Sequence, residues 1–282
     1  MEEKGIDAPT PSFITLDDTK IYYEVVGKGQ PIVFLYDSQL LDYRIWDGPF
    51  QHFAQSYQVL RFDPRGCGKS QASATAFSRS KDLFLLLQQL HMLPVTIIDL
   101  SARPALDFIH AYPDSVASLV LISPEVGMYK SFVEAMAKLP ALLNDVVPIV
   151  KELKKGDIKR GCELCLEKMV ITPSTVSPEV YQWMFDMVHA HIHLLMDPQE
   201  KGIKNPEKLT KQKQWLKDIR IPTLLLEGEF PTPTIQKTAS IFEQEIPQLQ
   251  KRIVPNSHVM LHLENPQGFA NVVLTFLAEA LL

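Results

Sequence analysis

The sequence predicts a mostly parallel, doubly wound α/β sheet interrupted by an all-helical insertion. Short apolar runs bounded by turn residues, such as Pro31 to Tyr36, read as strands buried on both faces. Helix-like stretches alternate with these runs, as the crossover connections of a parallel sheet require. The alternation stops from about Val126 to Trp215 and then resumes, which marks a helical segment inserted between two strands.

In chain order, residues 12–26 read as two strands around the polar turn Asp17-Asp18-Thr19. Gly27 and Gly29 punctuate the chain before the buried run Pro31 to Tyr36. A helical stretch follows over Leu41 to Ser56, then a buried strand over Val59 to Asp63. Residues 80–92 read as a helix that offers Leu83, Leu85, Leu86, Leu87 and Leu90 to a core. Strands over Val95 to Leu100 and Leu119 to Ser123 flank a helix over Arg103 to Tyr112. In the insertion, Pro140, Pro148, Pro173, Pro178 and Pro198 divide the helical pattern. Beyond it come a strand over Pro222 to Leu226, a helix over Thr234 to Glu243, a strand over Leu249 to Val254, and a last helix after Pro266. Residues 1–125 and 216–282 are thus expected to form the core, with 126–215 a helical cap.

Composition narrows the function classes. At 282 residues and 46% hydrophobic, the chain has enough apolar surface for a large core without disulfides or a structural metal. Its net charge of −5 gives no electrostatic reason to expect a nucleic-acid partner. Three cysteines are an odd number and fit a reducing compartment, with Cys162 and Cys165 read as packing residues on a helix. The polar start, MEEKGIDAPTPS, has no apolar signal region, and no apolar run is long enough to span a bilayer, so a cytoplasmic location is expected. Gly68-Lys69-Ser70 could suggest a phosphate loop, but Asp63 stands where that motif needs glycine. His189, His191 and His193 alternate in the cap without completing a recognisable metal-ligand spacing, so neither a metal nor a cofactor is expected.

Several motifs carry a resemblance. Asp63-Pro64-Arg65-Gly66-Cys67-Gly68-Lys69-Ser70 is an intact D-x-R-G-x-G-x-S turn. Trp46-Asp47 precedes it, Tyr112-Pro113 ends the helix after residue 103, and Asn256-Ser257-His258 is followed by Glu264-Asn265-Pro266. In order and spacing these residues resemble the capped α/β-hydrolase family, which implies a nucleophile on a strand-to-helix elbow, an acid after a later strand and a histidine near the C-terminus.

The resemblance places the nucleophile at Ser101 and the base at His258. The elbow's flanking glycines are replaced by Asp99 and Arg103, which are expected to pair with each other beside the turn. Gly228-Glu229-Phe230-Pro231 puts proline at the usual acid position, leaving Glu125 or Glu229 as substitutes. The family's His-Gly becomes Tyr36-Asp37, so the oxyanion hole falls to the Ala102 N–H together with that of Asp37 or Ser38. Tyr36, Leu100, Trp183, Met184 and Met187 are expected to line a substrate pocket roofed by the cap. Two readings follow. One is a serine hydrolase of a small apolar ester, thioester, lactone or amide, working with an eroded site. The other is a catalytically silent relative that binds a small molecule or a partner. The sequence does not specify an oligomeric state.

Overall fold

The computed structural model describes residues 10–73, 75–124, 139–171, 173–196 and 215–280. Eight strands form one sheet in the order β1-β2-β4-β3-β5-β6-β7-β8. These are β1 (Ser12–Leu16), β2 (Thr19–Val26), β3 (Pro31–Leu35), β4 (Gln58–Phe62), β5 (Val95–Asp99), β6 (Val116–Ile122), β7 (Thr223–Gly228) and β8 (Leu249–Val254). β1 and β2 are antiparallel, and β4 through β8 run parallel. The central strands are apolar throughout because both their faces are covered; all five residues of β5 are buried.

One face packs under α1 (Asp47–Phe53) and the C-terminal helix, the other under α2 (Arg79–Gln89), α3 (Arg103–Ala111) and a later helix over Pro233–Glu245. Alternation along β3 assigns the faces: Ile32 and Phe34 point to the first, Val33 and Leu35 to the second. Between β6 and β7 lie α4 (Leu139–Lys155), α5 (Ile158–Cys165) and α6 (Pro178–His191). Ile149, Cys162, Cys165, Met184, Met187 and Val188 of this segment are buried in the first-face core with Tyr36, Leu40 and Trp46. Burial pushes the Cys165 thiol up to about 12, which leaves it a protonated packing residue. Among the described residues no helix is long and apolar enough to cross a membrane.

Candidate functional site

The D-x-R-G-x-G-x-S turn is a scaffold. Asp63, at the end of β4, is buried and accepts from the Tyr43 N–H at 2.7 Å, the Lys69 N–H at 2.7 Å and the Tyr36 hydroxyl at 2.9 Å. Burial pushes its carboxyl up to about 6, against the pull of those donors. Gly68 is required here, since a Cβ would stand 2.2 Å from an Asp63 oxygen. Ser70 Oγ donates to the Asp63 carbonyl and accepts the Tyr22 N–H, fastening the turn to β2. Arg65 is enclosed by Asp82, Asp18, Thr19 and the Leu16 carbonyl. Tyr36, expected to line a substrate pocket, thus turns its hydroxyl into this hub.

At the strand-to-helix turn the pairing expected between Asp99 and Arg103 is not formed. Asp99 is fully buried and caps the turn instead, accepting from the Ser101 N–H at 3.1 Å and the Ala105 N–H at 2.9 Å. Arg103 points the other way, with Nε 2.7 Å from Asp37 Oδ2. The physical reason is direction: Asp99, at the end of β5, meets the first backbone donors of the turn and of α3, while the Arg103 guanidinium reaches Asp37, just past the end of β3. Burial raises the Asp99 carboxyl to about 6, opposed by the two backbone donors. The left-handed residue of the turn is Ala102, at φ +80°, one residue after Ser101. A Cβ in that conformation costs about 1–2 kcal/mol. Pro104, in the first turn of α3, favours starting the helix there. The Ser101 hydroxyl has Asp99 Oδ1 as its one protein partner among the described residues, at 3.4 Å.

Asp37 is clamped by two guanidinium groups, Arg79 at 2.9 Å and Arg103 at 2.5 Å. Its negative charge is therefore answered on the α2–α3 side. Ser38 Oγ accepts the Leu40 N–H.

His258 stands on the loop after β8. Gly228 lets the β7 and β8 loops touch, because a Cβ there would lie 2.1 Å from the His258 carbonyl oxygen. Glu229 caps that loop through the Asn256 N–H at 2.9 Å, and its side chain makes no hydrogen bond to the histidine. Glu125 lies outside the described residues. The carboxylate near His258 is one the motif comparison left without a catalytic role, Glu264. It accepts the His258 backbone N–H through Oε2, and its Oε1 is 3.8 Å from Nδ1, too far to bond. That Oε1 accepts the Thr175 hydroxyl at 2.6 Å from the inserted segment. Nδ1 of His258 is buried with no partner, and no hydrogen bond joins His258 to Ser101 among the described residues. His262 is fully enclosed, its ring 4.9 Å from that of Trp46, and burial lowers its pKa to about 3.

Of the other expected pocket residues, Met184 and Met187 are fully buried packing residues, and Leu100 and Trp183 pack at the edge of the same core. A cavity of about 510 Å³ lies elsewhere, between α2 and α3. Tyr36, Asp37, Arg79 and Arg103 line it; Ser101 and His258 do not. His191 has a carboxylate partner that its sequence neighbourhood did not show: Asp42, 149 residues away, at 2.9 Å. Against the upward push of burial, His191 and Arg44 hold the Asp42 carboxyl well below its usual value. Among the described residues no group of side chains is arranged to hold a metal ion.

No protein-family model matches the chain. A curated relative, the 2-hydroxy-6-oxo-6-(2'-aminophenyl)hexa-2,4-dienoic acid hydrolase of Metapseudomonas resinovorans, is 20% identical over 99% of this chain and 94% of its own. Among solved structures, MenH from S. aureus superposes with a TM-score of 0.74 at 20% identity, covering 92% of this chain and 99% of that one. The carboxylesterase CesB from Bacillus subtilis gives 0.73 at 20% identity, covering 96% and 92%. An N-acyl homoserine lactone degrading enzyme gives 0.68 at 23% identity, covering 94% and 100%. With the strand order and the motifs in place, the fold of this chain is that of the α/β-hydrolases.

Proposed function

We propose that this protein keeps the α/β-hydrolase scaffold to bind a small molecule and does not use Ser101 for acyl transfer. The observation that carries this reading is the unassembled relay. Acyl transfer needs a serine hydroxyl bonded to an imidazole whose other nitrogen is held by an acceptor. Here the Ser101 hydroxyl is directed to Asp99, and neither link of the histidine is made. Ala102 occupies the strained position of the turn and has no nucleophilic atom. The test is labelling with a fluorophosphonate probe, alongside a panel of small ester, thioester, lactone and amide substrates. No labelling is expected, and no turnover above that of Ser101→Ala. Labelling that Ser101→Ala abolishes would overturn the reading.

The second reading is a slow serine hydrolase of a small apolar ester, thioester, lactone or amide. It is favoured by the retention of Ser101 and His258 on the turns that follow β5 and β8, at the carboxyl edge of the sheet where ligands of open α/β sheets bind. Ser101 would attack after His258 takes its proton. The Ala102 N–H, with that of Asp37 or Ser38, would hold the oxyanion. The inserted helices would act as a lid, and the cytoplasm is the expected location on either reading.

A further inference from the structure

We infer that the cavity between α2 and α3 is a binding site for a neutral, largely apolar small molecule, such as a medium-chain alcohol. Its volume of about 510 Å³ falls within the range of small-molecule sites. The floor belongs to the core of the second sheet face: Leu16 and Ile21 from β1 and β2, Leu35 and Phe62 from β3 and β4, Leu83 and Leu86 from α2. All six are buried. Protein interiors leave few voids larger than a water molecule, because a wall with no atoms against it forgoes its dispersion contacts. An apolar occupant would restore those contacts and withdraw its own surface from water.

The charged side chains of the lining decide the class of the occupant, because they are already engaged with protein groups. Arg65 holds Asp82 in a buried bidentate pair, at 2.6 and 3.0 Å, and also reaches Asp18. Arg79 and Arg103 both contact Asp37, at 2.9 and 2.5 Å, and Arg79 has a further partner besides. Asp107 is partnered as well, and the His110 ring stacks on that of Trp215 at 3.6 Å. A charged ligand would have to displace one of these partners or lie unpaired against the leucines. A neutral molecule meets neither cost. Its single hydroxyl can face the polar mouth, where Ser78 and Ser80 stand, while its body lies over the floor. Ser101 and His258 do not border the cavity, so a molecule seated here touches neither.

This names the ligand class for the binding reading and rests on it, yet the two fail separately. Fluorophosphonate labelling of Ser101 would end that reading and leave the cavity untouched. The experiment here uses the full chain and the neutral fluorescent probe N-phenylnaphthylamine, displaced near neutral pH by hexanol, octanol or octanoate. Saturable one-to-one binding is expected. Octanol is expected to displace the probe at a concentration about fifteenfold below that of hexanol, roughly fourfold for each added CH₂. Octanoate is expected to need a higher concentration than octanol. Leu86→Trp, which fills the cavity, is expected to abolish probe binding. Its melting curve shows whether the variant is folded, and Leu83→Phe, expected to weaken binding, supplies a milder filling if it is not. Displacement by octanoate at or below the octanol concentration overturns the neutral class. Absence of saturable binding, no gain from hexanol to octanol, or binding unchanged in a folded filled variant overturns the site.

Discussion

Asp99 makes this fold sensitive to alkaline conditions. Its carboxyl is fully buried at the end of β5, where burial raises its pKa from 3.8 to about 6. A group held above its unfolded value favours the protonated fold. Its stabilisation is therefore fully present below roughly pH 4 and is lost as the pH rises through about 6. The loss amounts to about 3 kcal/mol, at about 1.4 kcal/mol per tenfold change in proton affinity, most of it between roughly pH 4 and pH 7. Asp99→Asn removes this titration. The amide oxygen still accepts one backbone N–H, but its NH₂ cannot accept the second, so the variant starts about 1–2 kcal/mol less stable at low pH. The deficit is expected to shrink and then reverse as the pH rises toward 8. Urea denaturation of both proteins across this range measures it, and taking the difference cancels His262, Asp63 and other shared groups. A deficit that stays constant with pH would refute the reasoning.

Other perturbations follow from the same geometry. Changing both Asp99 and Arg103 to Gly restores small residues at the elbow but deletes the cap on Ser101 and Ala105; by melting temperature the double variant is expected to be less stable than Arg103→Ala, which leaves Asp37 paired with Arg79. Gly228→Ala forces a Cβ onto the Ser257 and His258 carbonyls and is expected to cost more than about 2 kcal/mol in denaturant unfolding. His262 is buried neutral with its pKa lowered to about 3, so the stability it contributes is present above roughly pH 6.5 and is lost as the pH falls; His262→Phe should remove that acid sensitivity in melts at pH 4 and pH 7. Arg61 is buried between Glu24 and Asp47, and Arg61→Ala is expected to cost about 3–5 kcal/mol, because it strands Glu24 in the interior.

The central strands were legible because each is a buried apolar run between breakers, and the β5–α3 turn was located correctly at residues 99–103. What that turn does was not legible. Asp99 and Arg103 lie four apart in sequence, which suggested a local pair, whereas the contact that forms joins Arg103 to Asp37 across 66 positions. His191 and Asp42 illustrate the same limit: the histidine's carboxylate comes from the far side of the sheet's connectivity, and no periodicity encodes it. Glu264 was visible within its motif, but its link to His258 depends on how the β8 loop folds back over the following single turn, Leu261–Glu264. The cavity between α2 and α3 arises from how two helices splay on a sheet, a property of packing that a sequence pattern does not carry.

Glu264 divides its two oxygens between distant parts of the chain, one for the Thr175 hydroxyl of the inserted helical segment and one for the His258 backbone. The side chain is fully enclosed, so each oxygen depends on these protein donors in the folded structure. A displacement of the segment carrying Thr175 would strand an oxygen only 3.8 Å from the unsatisfied Nδ1 of His258, and a small adjustment would join them. The inserted segment and the histidine loop are thus tied to the same carboxylate, one to each of its oxygens.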